Sequence, residues 1–343
     1  MNKWIYYIIM KSKHNDIPWI EKYRPKRLNE IISQEESINI LSNTLKTGEL
    51  PHLVLYGGSG TGKTSSILAL CNQLFGPERI NERVIELNAS DERGINVVRH
   101  KIINFAKIAI GTPDTRYLCP PYKIIILEEA DAMTKEAQAA LRKVMEETSS
   151  ITRFCFTCNY INQIIEPINS RCVKIRFKPI TKTNIMNKLR YISFKEHINM
   201  DENGLESLAE ISNGDLRKSI LILQNVKYLK CGLDDFKISK NEIYEMCKYI
   251  TDEQLNKYIY TISSNKNMDN IINVTNQIFN NGYIIHFVIE KIINYLLHNT
   301  NISDKDKSKI IFEMSTIEKN INDGADEYIQ MLKIFISLSV LSL

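Results

Sequence analysis

The chain has 343 residues, 43% hydrophobic and 24% charged, a balance that fits a water-soluble protein with two or three separate cores. Its 44 Lys and Arg stand against 40 Asp and Glu, a net charge of +4, so attraction to a polyanion has to come from a local patch and not from the surface as a whole. Seven cysteines at irregular spacing exclude a disulfide framework and point to reduced thiols.

Residues 1–17 begin with a short apolar stretch, Trp4 to Met10, too brief to cross a bilayer and without a small-residue cleavage site. It reads as an N-terminal extension, with Met10 an alternative start. From Pro18 to Lys178 short apolar runs alternate with longer helical stretches, the pattern of a parallel sheet with helices on both faces. The candidate strands are Leu53–Tyr56, Val84–Leu87, Lys123–Leu127, Phe154–Thr157 and Val173–Phe177. Between the third and fourth, Ala137, Ala140, Leu141, Val144 and Met145 recur at helical spacing and predict one apolar stripe against the sheet. Cys155 and Cys158 form a C-x-x-C within the fourth strand, where residues three apart face opposite ways, so packing and not metal binding is expected.

After Pro179 the strands stop. Residues 179–240 form a small helical segment divided at Asn213-Gly214, and residues 241–343 are helical to the end, with breaks at Asn280-Asn281-Gly282 and Asn299-Thr300-Asn301. The ten uncharged residues from Ile334 to Leu343 read as the buried face of a last helix. The stretch from Tyr283 to Leu297 is apolar around much of its circumference, which suits either a bundle core or association with other chains.

The most specific motif directly follows the first strand. Gly57, Gly58, Ser59, Gly60, Thr61, Gly62, Lys63 and Thr64 spell G-x-x-x-x-G-K-T and lead through Ser65 into a helix. Glycines let the backbone N–H groups approach phosphates closely, Lys63 reaches the β- and γ-phosphates, and Thr64 is placed to ligate Mg²⁺. The third strand ends in Glu128-Glu129-Ala130-Asp131. In phosphoryl transfer the first such acid holds Mg²⁺ and a neighbour orients the attacking water, which gives Glu128 the first role and Glu129 the second.

With these pieces in hand, the chain resembles the small subunits of replication factor C, the AAA+ ATPases that open a ring-shaped sliding clamp and close it on primer–template DNA. The matching segments are Trp19 to Pro25, the phosphate loop, Asn88 to Gly94, the Glu-Glu-Ala-Asp box, Ala140 to Lys143, Ser170-Arg171-Cys172 and Gly214 to Lys218. Finer features around Thr152 to Pro179 look most like the eukaryotic subunit four type of human nomenclature. The resemblance implies an AAA+ domain at 18–178, a helical lid at 179–240 and a helical collar at 241–343. It implies that Tyr23, Arg24 and Pro25 join the loop residues at ATP, that Asn159 positions the attacking water, and that Arg217 touches the γ-phosphate from the lid. Arg171 is implied to be an arginine finger that completes a neighbouring subunit's site. Arg93, Arg99 and Lys101 on one helix, with Lys135, Arg142 and Lys143 on another, are the implied contacts to DNA phosphates. Four sister subunits, the clamp PCNA and a nuclear location follow from the same resemblance, with no membrane association.

The chain departs from the family in two places. Glu128 stands where Asp is usual, which keeps the charge but adds a methylene at the metal. Gly58-Ser59 replaces two prolines in the loop. Three other readings share some of these features: a nucleotide-holding scaffold subunit with little hydrolysis, a branch-migration or protein-remodelling AAA+ motor, and a small-molecule kinase.

Overall fold

Among the described residues, five short strands pair in parallel in the order β2-β3-β4-β1-β5: β1 is Leu53–Tyr56, β2 Val84–Asn88, β3 Lys123–Glu128, β4 Thr152–Cys158 and β5 Val173–Arg176. The computed structural model describes residues 17–89, 95–108, 116–229, 238–300 and 302–339, with the side chains of 95–99 excepted. Strands such as Ile124–Leu127 are apolar at every position because helices cover the sheet on both sides.

On one side, Leu53, Leu55, Ile124, Ile126, Cys155 and Ile175 pack with Ile67, Leu70 and Leu74 of the helix Lys63–Phe75. On the other, Val54, Ile125, Leu127, Phe154, Phe156 and Cys158 pack with Ile102 and Phe105 of the helix Ile95–Lys107 and with Leu141, Val144 and Met145 of the helix Lys135–Thr148. Cys155 and Cys158 thus enter opposite cores, as strand alternation requires.

The expected stripe on Lys135–Thr148 is corrected at one point. Ala137 and Ala140 are only half-buried, whereas Gln138 is 1% exposed. Its amide donates to the carbonyls of Met133 (3.3 Å) and Gln163 (3.0 Å) and accepts from Ile165 N (2.8 Å). A buried amide satisfied three ways packs like an apolar residue, and a hydrophobic period cannot show it.

Because all strands are parallel, β1 pairs Tyr56 with Cys158 of β4, while β3 and β4 also run side by side, so the carboxyl ends of β1, β3 and β4 share one edge of the sheet. Loops at that edge are where ligands bind in such sheets. Beyond β5 come the helices Lys182–Lys195, Glu202–Ser212 and Leu216–Leu229.

By packing, the described residues up to Asn199, with Leu208–Leu229, form one compact unit, and Met200–Ser207 with the described residues from Ile238 to Ser339 form a second. In the second unit, the helices Asp252–Ser264, Met268–Asn280, Ile285–His298, Asp304–Asn322 and Glu327–Ser339 share one core. Val288, Ile292 and Leu296 meet Met314, Ile334 and Phe335 there. The helix Ile285–His298 buries Ile285, Val288, Ile289, Ile292 and Leu296, leaving the flanking Ile284 and, within the helix, Leu297 exposed. Met331, Ile334, Phe335 and Leu338 form the buried face of the last described helix. Among the described residues no helix is long and apolar enough to cross a membrane.

Candidate active site

The loop after β1 needs glycine for two separable reasons. Gly57, Gly60 and Gly62 have φ of 146°, 61° and 98°, conformations that L side chains rarely adopt. A Cβ at Gly57 would also lie 2.2 Å from the carbonyl oxygen of Phe177, and one at Gly60 would lie 1.7 Å from Asp215 Oδ1. Gly62 caps the helix Lys63–Phe75, whose first N–H groups and dipole make a site for anions. Lys63 Nζ donates to the carbonyls of Gly57 (2.7 Å) and Gly58 (2.8 Å) and to Asn159 Oδ1 (3.0 Å). Burial lowers the pKa of this ammonium and nearby Arg217 does the same, while Asp131 and Asp215 oppose the shift.

The acid group stands opposite. β3 ends at Glu128, and Glu129 turns the chain in the left-handed region (φ 51°, ψ 42°), a conformation that costs a non-glycine residue about 1–3 kcal/mol and is concentrated at working sites. Asp131 Oδ2 accepts from the backbone N–H groups of Asn159 (2.9 Å) and Tyr160 (3.1 Å), so the acid turn fixes where β4 delivers Asn159. Sequence reasoning left Asp131 without a role. Its place three residues after Glu128 was the only signal, and the contact spans two strand ends that are distant in sequence. Glu86, on β2 beside β3, has its carboxyl pulled up by burial and by the neighbouring Glu128 carboxylate. Negative charge is therefore crowded at this edge, and with the Thr64 hydroxyl it offers a hard-oxygen donor set of the kind Mg²⁺ takes alongside phosphate oxygens.

A cavity of about 220 Å³ lies between these parts. Ser59, Gly60, Thr61, Gly62, Lys63, Thr64 and Ser65 line it from the loop and the start of its helix, Glu128, Glu129 and Asp131 from the acid turn, and Asn159 from just beyond β4. Arg217 reaches it from the helix Leu216–Leu229, and Tyr23, Arg24 and Pro25 from the N-terminal segment. Gly57 and Gly58 stand behind that lining and act through their carbonyls on Lys63. The helix Leu216–Leu229 is held to the loop: Ser59 Oγ donates to Asp215 Oδ2, and Leu216 N donates to the Gly60 carbonyl at 3.3 Å.

Arg171 is not among the residues of this cavity. Its guanidinium donates to Glu146 Oε1 and to the Pro167 carbonyl, each at 2.7 Å. Of the residues expected at DNA, Arg93 and the side chain of Arg99 lie outside the described residues. Lys101, Lys135 and Lys143 are exposed on the helices Ile95–Lys107 and Lys135–Thr148, which pack together. Arg142 Nε lies 3.9 Å from Glu146 Oε1, so Glu146 stands between Arg142 and Arg171.

Residues 53–180 match the model of the ATPase family associated with various cellular activities, residues 187–227 an RCF1/5-like AAA+ ATPase lid domain, and residues 250–337 the replication factor C C-terminal domain. The chain is 43% identical over 324 residues to replication factor C subunit 2 of Schizosaccharomyces pombe, covering 94% of each chain. It is 41% identical to human replication factor C subunit 4, covering 94% of this chain and 88% of that one. Among solved structures it resembles the Thermotoga maritima RuvB Holliday junction branch migration motor, with a TM-score of 0.53 at 18% identity over 70% of this chain and 79% of that one, a likeness of fold alone.

Proposed function

The chain belongs to the replication factor C small-subunit family of AAA+ ATPases, and from that premise we propose that it works within a heteropentamer of sister subunits, binding primer–template DNA and helping to open and load the sliding clamp PCNA in the nucleus. The carrying observation is that Lys63, Thr64, Glu128, Glu129, Asn159 and Arg217 converge on one cavity while Arg171 lies outside it. A site complete except for its finger is what an ATPase assembled from neighbouring subunits needs.

The residues divide the work of ATP hydrolysis. Loop N–H groups and Lys63 hold the phosphates, and the apolar and aromatic wall of Ile20, Tyr23, Pro25, Ile180 and Ile220 suits the base. Thr64 and Glu128 would hold Mg²⁺, which would supply positive charge to offset that of the phosphates. Glu129, presented by its left-handed turn, orients the attacking water and draws its proton, with Asn159 fixing the water's position. Arg217 meets the γ-phosphate from the lid, and Arg171 does so in the neighbour's site, where such a finger contributes about 10³–10⁵ in rate. Lys101, Lys135, Arg142 and Lys143 contribute contacts to the DNA backbone, whose strength falls with salt.

The test is ATP turnover of the assembled five-subunit complex with PCNA and primed DNA, comparing the native chain with Arg171→Ala and Glu128→Asp. The active-loader reading expects Arg171→Ala to slow turnover strongly with this chain's own ATP affinity unchanged, and Glu128→Asp to change little. A sharp rise in turnover with Glu128→Asp, together with no effect of Arg171→Ala, would instead show a nucleotide-holding scaffold.

A further inference from the structure

One carboxylate outside the cavity ties together the parts that build its apolar wall. Glu196 follows the helix Lys182–Lys195 and its side chain is 8% exposed. Its Oε1 accepts from Lys22 Nζ and from the Tyr23 hydroxyl, both at 2.5 Å, and its Oε2 accepts from Lys227 Nζ at 2.7 Å. Lys22 and Tyr23 belong to the N-terminal segment, and Lys227 to the helix Leu216–Leu229 that also carries Arg217.

The same two elements are joined around this hub. Trp19 N donates to Gln224 Oε1 at 3.1 Å, and the buried Trp19 ring lies 5.1 Å beneath Lys227 Nζ. Tyr23 stacks edge-on between Trp19 and Tyr191, with centroids 6.3 and 6.4 Å away. Burial alone would raise the pKa of Glu196, but the hydrogen bonds from Lys22, Lys227 and Tyr23 outweigh it and bring the carboxyl down to about 2. The Glu196 carboxyl is therefore ionised at neutral pH, and a buried charge that loses one partner leaves the others uncompensated.

We infer that Glu196 is a positioning residue of the nucleotide site: by gripping Lys22, Tyr23 and Lys227 it sets Tyr23-Arg24-Pro25 against the base and ribose, and makes that wall one body with the helix bearing Arg217. The inference rests on the reading of the cavity as an ATP site. Glu196 does not line the cavity, so its effect passes through the wall and not through the phosphates. Ligands with and without a nucleoside separate the two.

The experiment titrates the full chain with a non-hydrolysable ATP analogue and, separately, with inorganic tripolyphosphate, using native protein, Glu196→Gln and Lys22→Met. Lys22 is the more exposed partner, 41% accessible, so its variant tests the hub if Glu196→Gln fails to fold. Glu196→Gln is expected to weaken binding of the analogue by about tenfold and Lys22→Met by about threefold, the scale of a charged hydrogen bond lost, while tripolyphosphate affinity stays within about twofold. Equal losses for both ligands, or an unchanged affinity for the analogue in both variants, overturn the positioning role. Lys63→Ala is the control for the site itself: if it leaves both affinities intact, the nucleotide reading falls, and with it the inference.

Discussion

Lys63 Nζ donates to Asn159 Oδ1 at 3.0 Å, so the cation of the phosphate loop and the polar residue at the end of β4 are direct partners. The same ammonium holds two loop carbonyls, and its lowered pKa, caused first by burial, will rise again when phosphate charge arrives. Lys63→Ala is expected to weaken ATP binding by about 100-fold or more, given the strength of a charge-assisted contact to phosphate. Titration with a fluorescent ATP analogue, beside a thermal melt showing the fold intact, measures it.

Asp131 accepts two backbone N–H groups at the start of the Asn159 turn. Asp131→Ala is expected to cost about 1–3 kcal/mol of stability and to lower turnover of the assembled complex by at least about tenfold through misplacement of Asn159. ATP affinity should stay within about threefold, so the effect appears in kcat and not in KM. A change in KM alone would place Asp131 with the binding residues instead.

The loop glycines are not equivalent. Gly60 has φ 61° and faces Asp215, whereas a Cβ on Gly58 would meet only Thr61 Cγ2 at an ordinary 3.9 Å. Gly60→Ala is expected to destabilise the protein by about 1–3 kcal/mol and to displace the Asp215 helix end. Gly58→Ala should stay within about 0.5 kcal/mol. Denaturant unfolding of the two variants checks the contrast.

Acid unfolding should report Glu196. Its folded pKa of about 2 lies below the ordinary 4.5, so its contribution is fully present above about pH 5 and is lost as the pH falls from there toward 2. The difference corresponds to about 3 kcal/mol at most. Stability of Glu196→Gln should therefore fall less steeply than that of the native chain between pH 5 and 3, and coincident curves would count against the ion-pair hub.

Four of the seven cysteines should be chemically quiet. Cys71, Cys155 and Cys158 are buried, and burial pushes the Cys71 and Cys155 thiols well up and Cys158 to about 12, as it does Cys172. Iodoacetamide at pH 8 should leave these four unlabelled in the folded protein and label them in denaturant. Mass spectrometry of the digests reads this directly.

The strands and the phosphate loop were legible in the sequence because each follows a local rule. Ile124–Leu127 is apolar throughout since both faces are covered, and Gly57, Gly60 and Gly62 sit where φ is positive. The residues that organise the site were not legible. Gln138 interrupts its apolar stripe yet is buried, since its amide is fully bonded. Asp131 acts on Asn159 from another strand, and Glu196 acts on Lys22 and Tyr23 from more than 170 positions away. Such contacts depend on packing between distant segments, which no short-range pattern encodes.

The strand order also fixes a sequence in time. β1, which carries the phosphate loop, is flanked by β4 and β5, and both come later in the chain than β2 and β3. A ribosome therefore releases the loop long before its neighbouring strands exist, and β1 is paired on both sides only once residues up to Arg176 have been made. Such non-local closure is slow compared with helix formation. Arg217 and Ile220, which also line the cavity, come later still, so the complete nucleotide site is assembled only after the sheet has closed.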